Sequence, residues 1–141
     1  MFFGEYNHTI DAKGRIIIPS KFREELGDSC FISKGLDGCL YIFPTGEWEN
    51  FLEKLSTMPS DKDTRKIIRY FSAGADQAEI DKQGRVLIRN DLKEHANLTK
   101  DIVLAGTLNR IEIWSKSVWD KENDDDIDEI AEKMAGYGLT F

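Results

Sequence analysis

The sequence predicts a mainly β fold with flanking helices, built as a tandem pseudo-twofold repeat. Residues 10–18 recur at 80–88, with the pattern Ile-Asp-x-x-Gly-Arg followed by three aliphatic residues in both copies. Each copy spans about 44 residues, near the size below which a chain rarely folds without staples or a partner. Four short strands also have little core of their own. We therefore expect the two copies to share one core as a pseudo-twofold β-barrel.

The repeat also divides the chain into segments. The offset is 70 residues at Asp11 and Asp81, and it becomes 71 by Trp48 and Trp119, so one copy has an extra loop residue. The predicted segments are a first half at 5–48, a helical connector at 49–75, a second half at 76–119 and an acidic amphipathic C-terminal helix at 120–141.

The elements of the first half follow from local chemistry. A strand at 5–10 leads through the turn at 11–14, where Gly14 can take positive φ, into a β-branched strand that Pro19 ends. Ser20 is expected to cap a short helix that runs to Leu26, with Gly27 after it. A hairpin completes the half, with strands at 30–33 and 39–43.

The second half repeats this order. Its predicted elements are strands at 78–80 and 85–88, a helix near 91–96, and a hairpin of 102–105 and 110–114 turning at 106–109. The connector region is predicted to form a helix at 47–55 and, beyond Pro59, a second helix capped by Ser60. An apolar stripe in the tail, including Ile127, Ile130 and Met134, predicts an amphipathic helix that needs a surface to pack on.

Composition limits the function. The net charge is −7, but residues 120–141 carry −6 of it, so the remaining 119 residues are nearly neutral at −1. Within them, 11–23 and 82–93 each carry +3, which makes two basic patches in an acidic protein. Two cysteines fit a reducing compartment, and with neither a secretory signal nor a membrane span we expect a cytoplasmic protein.

The motif Asp-x-x-x-Arg occurs in both copies, as Asp11 with Arg15 and Asp81 with Arg85. A carboxylate and a guanidinium form a strong, directional pair. One interpretation is a salt bridge that fixes the turn or locks one copy onto the other. The other interpretation is a turn that projects lysine and arginine toward phosphates and base edges. Both can hold, since a carboxylate can aim the arginine while other donors stay free.

The sequence gives little support for a catalytic or metal-binding site. Two symmetry-related aspartates suggest an aspartic protease, but an arginine four residues on would keep each carboxylate ionised and oppose a shared proton. Cys30 and Cys39 lack the paired spacing of a metal site, and no nucleophile triad or phosphate-binding loop is evident. We therefore predict no catalytic residue, metal, cofactor or small-molecule substrate.

Several stretches together resemble the MraZ family of bacterial transcriptional regulators. They are residues 1–26, 34–44, 81–88 and 109–115, in the order and spacing of the family. The resemblance implies two SpoVT–AbrB-type halves in a swapped-hairpin-like barrel, ring-shaped homo-oligomers and sequence-specific binding to repeated promoter elements. It also implies a nucleoid-associated location and a link to the division and cell-wall gene cluster. Arg89 departs from the pattern, because proline is expected there by analogy with Pro19.

The predicted function is therefore a sequence-specific DNA-binding regulator that represses its own promoter. Arg15 and Arg85 are expected to contact bases or phosphates, with Asp11 and Asp81 orienting them. The expected phosphate contacts are Lys13 and Lys82, followed by Lys21, Arg23, Arg89 and Lys93. The alternative is a protein-interaction module of antidote type, which binds a partner through its C-terminal helix.

Overall fold

The computed structural model describes residues 1–141 and consists of eight strands and six helices. The strands are β1 (Phe2–Thr9), β2 (Arg15–Ile17), β3 (Ser29–Lys34), β4 (Leu40–Pro44), β5 (Asp76–Glu79), β6 (Arg85–Leu87), β7 (Asp101–Leu108) and β8 (Ile111–Ser115). The helices are α1 (Ser20–Leu26), α2 (Thr45–Ser56), α3 (Lys62–Ile68), α4 (Asn90–His95), α5 (Lys116–Glu122) and α6 (Ile127–Gly136). A π-helical turn, Arg69–Ala73, follows α3.

Six strands form one antiparallel sheet in the order β1-β7-β8-β4-β3-β5, and β2 and β6 form a separate two-stranded ribbon. The predicted closed barrel is wrong, because the edge strands β1 and β5 do not pair with each other. Each edge strand instead leaves the sheet through a tight turn, at Gly14 or Gly84, and continues into the ribbon. Because β2 and β6 pair with each other and not with the edge strands, the six-stranded sheet stays open.

The two copies exchange strands. β1 of the first copy pairs along eight residues with β7 of the second, while β5 of the second pairs with β3 of the first. The ribbon likewise joins β2 to β6. Only the hairpins β3–β4 and β7–β8 pair within one copy. Neither half therefore has a complete set of strand partners of its own.

Packing reflects this exchange. The main core contains 20 buried residues drawn from both copies, including Ile16 and Val86 from the inner face of the ribbon. A second cluster lies where α2 covers the sheet and is aromatic, with Trp48 and Trp114 each only 4% exposed. These tryptophans are core residues and are not available to stack on bases.

Some boundaries differ from the predicted ones. β7 continues to Leu108 because β1 pairs along its whole length, from Phe2↔Leu108 to Thr9↔Asp101. The cap of α3 is Asp61 and not Ser60, since the Asp61 carboxylate accepts a hydrogen bond from the Thr64 backbone N–H at 2.9 Å.

The C-terminal helix α6 begins at its cap Asp126, whose carboxylate accepts from the Glu129 N–H at 2.8 Å. None of its residues is buried, and Ile127 and Ile130 are 83% and 45% exposed. The apolar stripe that the sequence predicts is present, but within one chain its residues are exposed or, at Met134, only partly buried. None of the six helices combines the length and apolarity needed to cross a membrane.

Candidate nucleic-acid interface

The ribbon of β2 and β6 has an inner face that is buried in the core and an outer face that is partly exposed. Side chains alternate between the faces of a strand, so Ile16 and Val86, which pair with each other, point inward and are 0% and 1% exposed. The outer face carries the two other cross-strand pairs, Arg15↔Leu87 and Ile17↔Arg85. Each arginine of one copy therefore lies beside an aliphatic residue of the other copy.

The turn before β2 is organised around Asp11. One carboxylate oxygen, Oδ1, accepts from the backbone N–H groups of Lys13 at 3.0 Å and Arg15 at 2.8 Å. The other oxygen, Oδ2, accepts from the Arg15 Nε–H at 2.7 Å. Gly14 has φ +83°, and this conformation makes the turn tight enough to place Arg15 beside the carboxylate of Asp11.

The turn before β6 repeats this arrangement around Asp81. Its Oδ1 accepts from the backbone N–H groups of Gln83 at 2.9 Å and Arg85 at 2.8 Å. Its Oδ2 accepts from the Arg85 Nε–H at 2.8 Å, and Gly84 has φ +79°. The two turns thus present their arginines in matching geometry.

Each turn favours the ionised form of its carboxylate. The backbone N–H of Arg15 and its Nε–H hold the pKa of Asp11 below its ordinary value, and Arg85 lowers the pKa of Asp81 in the same way. Each guanidinium is held through Nε alone, so its Nη groups make no hydrogen bond within the chain. The side chains of Arg15 and Arg85 are 30% and 28% exposed, so the Nη groups are free to donate hydrogen bonds to an oxygen or nitrogen of a ligand.

Backbone hydrogen bonds tie the two turns to each other. The Ile18 N–H donates to the Gly84 carbonyl and the Ile88 N–H donates to the Gly14 carbonyl, both at 2.8 Å. The guanidinium of Arg23, on α1, packs against Gly84, where a Cβ would collide with it. The two turns therefore lie side by side, with Arg23 of the first copy against the turn of the second.

The remaining predicted contact residues differ in their exposure and in the contacts that they make within the chain. Lys13 and Lys82 are exposed, and neither ammonium has a hydrogen-bond partner. The Lys21 ammonium lies 4.2 Å from the ring centroid of Phe3. Lys93 is half-buried.

Arg89 is engaged within the chain. Its Nε and one Nη donate to the two oxygens of Asp91 at 2.6 and 2.9 Å, and that Nη also donates to the Gly74 carbonyl at 3.2 Å. The hydrogen bond with Asp91 raises the pKa of Arg89. Its backbone φ of −60° is close to the −52° of Pro19, so the residue keeps the conformation that proline would impose at the start of the helix.

The sequence analysis did not predict that two aliphatic residues lie exposed on the outer face of the ribbon. Ile17 and Leu87 are 49% and 56% exposed, although the sequence indicated only that they belong to β-branched or aliphatic strands. The available signal was the period of two, which places each of them on the same face as the arginine two positions earlier.

The cysteines take no part in this surface. Cys30 and Cys39 are buried free thiols, and burial raises the pKa of each to about 12. No group of three or more His, Cys, Asp or Glu side chains is placed to hold a metal ion.

Comparison with known proteins identifies the family. A family model described as "MraZ protein, putative antitoxin-like" matches residues 1–70 and again 71–136. A "Transcriptional regulator MraZ" of Lachnoclostridium phytofermentans is 55% identical over the full length of both chains. Proteins of the same name from Clostridium tetani and Caldanaerobacter subterraneus subsp. tengcongensis are 55% and 50% identical over 99% of this chain and all of theirs. The resemblance in the sequence is confirmed, and the chain belongs to the MraZ family.

Proposed function

We propose that this protein is a DNA-binding transcriptional regulator whose contact surface is the outer face of the β2–β6 ribbon. The observation that carries the proposal is the pair of guanidinium groups, each fixed at Nε by an aspartate with its Nη groups unpartnered on one exposed surface. Relatives at 50–55% identity bear the name of a transcriptional regulator, and membership of that family agrees with the prediction that the chain is not an enzyme.

The ribbon has the right shape for this role. The major groove of B-DNA admits a two-stranded β-ribbon, and arginine can donate bidentately to guanine O6 and N7. In this proposal Arg15 and Arg85 contact bases or phosphates, and Asp11 and Asp81 hold the two arginines in position. The supporting phosphate contacts are Lys13, Lys82, Lys21, Arg23 and Lys93, whereas Arg89 is the weakest candidate because its donors already have acceptors.

The modest charge of one chain favours an assembly. Affinity for DNA grows with the number of neutralised phosphates, and one chain has only two +3 patches in a protein of net charge −7. A ring-shaped homo-oligomer on tandem promoter repeats would gain about 10²–10⁴ in avidity without new contacts per subunit. The resemblance to the family further suggests SpoVT–AbrB-type halves at 5–48 and 76–119, repression of the protein's own promoter in the division and cell-wall gene cluster, and a cytoplasmic, nucleoid-associated location.

The test is a gel shift on DNA from upstream of the gene, with sizing chromatography of each variant. Arg15→Ala and Arg85→Ala should each weaken specific binding about 5- to 150-fold, the range for one bidentate base contact, while the oligomer persists. Arg65→Ala is the matched control, since it removes the same charge from the exposed surface of α3, away from the ribbon. Unchanged affinity of both ribbon variants at matched salt would remove these arginines from the site.

A second candidate is the interaction module of antidote type. It is favoured by the exposed apolar face of α6, which carries Ile127 and Ile130 beside an acidic first turn, and by the "antitoxin-like" description of the family model. The salt dependence of promoter binding separates the candidates. A steep slope with sequence preference supports the regulator, and no binding even at low salt supports the module.

A further inference from the structure

The outer face of the ribbon contains more than the two arginines. Its four side chains form a two-by-two array, in which Arg15 and Arg85 occupy one diagonal and Ile17 and Leu87 the other. We propose that Ile17 and Leu87 contact the C5-methyl groups of thymines in the major groove, so that the ribbon reads A·T pairs next to the bases read by its arginines. This inference rests on the proposed function.

Packing does not account for these two aliphatic side chains. The inner face of the ribbon is already filled by Ile16 and Val86, whereas Ile17 and Leu87 are about half exposed on the opposite face. Both copies place a large aliphatic residue at this position, two residues after the arginine. Each of these aliphatic side chains lies directly opposite an arginine of the other strand, so a ligand held by the arginines would also meet them.

The dimensions suit neighbouring base pairs. Residues on one face of a strand are about 7 Å apart, and directly paired residues on adjacent strands have Cβ atoms about 5 Å apart. Successive base pairs rise about 3.4 Å, so the four side chains cover about two base-pair steps. In the major groove only thymine offers a methyl group, and an apolar side chain is the complementary partner for it.

Charge argues for nucleic acid over a second copy of the chain. If two ribbons packed face to face, the side chains of each outer face would meet only arginine, isoleucine and leucine side chains of the other. The Nη groups of Arg15 and Arg85 would then be buried without an acceptor on that face, which is unfavourable. On DNA the same groups find phosphates or guanine acceptors on either side of the methyl groups.

The experiment uses the full-length protein and the promoter fragment that it protects in footprinting. Each protected thymine is replaced in turn by deoxyuridine, which removes only the C5-methyl group. At one or more positions the wild-type affinity should fall about three- to fourfold, the value of one buried methyl-sized group. At those positions Ile17→Ala or Leu87→Ala should bind thymine and deoxyuridine DNA equally well.

Control variants separate contact from folding. Leu36→Ala removes a leucine that is as exposed as Leu87, at 56%, but lies in the β3–β4 turn, and it should keep the wild-type preference for thymine. Ile17→Val retains part of the apolar surface and should keep part of the preference. Circular dichroism and sizing chromatography establish that each variant is folded and assembled.

The outcomes are distinguishable. If the wild-type protein protects no DNA from upstream of its gene, even in dilute buffer, the proposed function fails. If it binds but deoxyuridine changes nothing at any protected position, the thymine inference is overturned while the DNA-binding function stands. A thymine preference that persists in both alanine variants also overturns the inference, because other residues would then read the methyl groups.

Discussion

The strand exchange makes a strong prediction at Gly106, on β7. Gly106 pairs directly with Gly4 on β1, and a Cβ at this position would meet the Phe3 backbone nitrogen, lie 2.6 Å from the Phe3 Cα and lie 2.7 Å from the Phe2 carbonyl carbon. Real Cβ atoms essentially never approach other atoms so closely. These are backbone atoms of the neighbouring strand, so no change of rotamer can relieve the collision.

We expect Gly106→Ala to destabilise the fold. Overpacking a well-filled site costs about 1–3 kcal/mol, and a collision with backbone belongs at the upper end of that range, about 3 kcal/mol. For a chain of this length each kcal/mol shifts the melting temperature by about 3–4 °C, so a loss of about 10 °C is expected. Thermal unfolding followed by circular dichroism at fixed protein concentration measures it.

Gly46→Ala is the matched control. Gly46 lies in α2 with no atom within 4 Å of the added Cβ, and alanine is favoured over glycine in helices by up to about 1 kcal/mol. This variant should melt at or slightly above the wild-type temperature. If Gly106→Ala also melts within 2 °C of wild type, β1 does not pair with β7 in the register described, and the argument for strand exchange at this edge fails.

Three further predictions concern the turns, the thiols and the core. The pKa values of Asp11 and Asp81 are lowered, so the stability that their ionised forms contribute is present above the ordinary carboxyl pKa of 3.8 and is lost as pH falls through the lowered values. Carboxyl carbon NMR should therefore show both side chains more than half ionised at pH 3.8. Titration midpoints at or above 3.8 would contradict the ion-paired turns. Cys30 and Cys39, with pKa values raised to about 12, should resist Ellman's reagent at pH 8 until the protein is denatured, and rapid labelling of either thiol in the native protein would show that it is not buried. Leu92→Ala empties a fully buried site in α4 and should lower the free energy of unfolding by about 2–5 kcal/mol in urea titrations, whereas a loss below 1 kcal/mol would mean that the helix does not pack on the core.

The local elements could be predicted because their signals are local. The first helix ends at Leu26 before Gly27, as predicted, but Ser20 is its first residue and Pro19 stands at the N-cap that the sequence assigned to Ser20. Strand pairing is different, because a repeat shows that two segments are alike but does not show whether each pairs within its own copy. The closed barrel was predicted wrongly because the sequence indicates the turns that follow β1 and β5 but does not show that the strands beyond them pair with each other outside the main sheet.

The candidate site shows the same division between local and tertiary information. The spacing of Asp11 and Arg15 predicts their proximity, and the structure places them in contact at 2.7 Å. The engagement of Arg89 depends partly on the Gly74 carbonyl, which lies 15 residues earlier and reaches it only through the fold. The exposure of Ile17 depends on which face of the ribbon meets the core, and a run of aliphatic residues does not reveal that face.

Joining the two halves in one polypeptide has an evolutionary consequence. A dimer of identical subunits must present the same turn twice, which ties it to palindromic targets. Here the two turns already differ, with Ala12 and Lys13 in one and Lys82 and Gln83 in the other. A single mutation alters one turn and leaves its counterpart unchanged. The two halves can therefore diverge independently, and selection can fit them to a target without inverted symmetry.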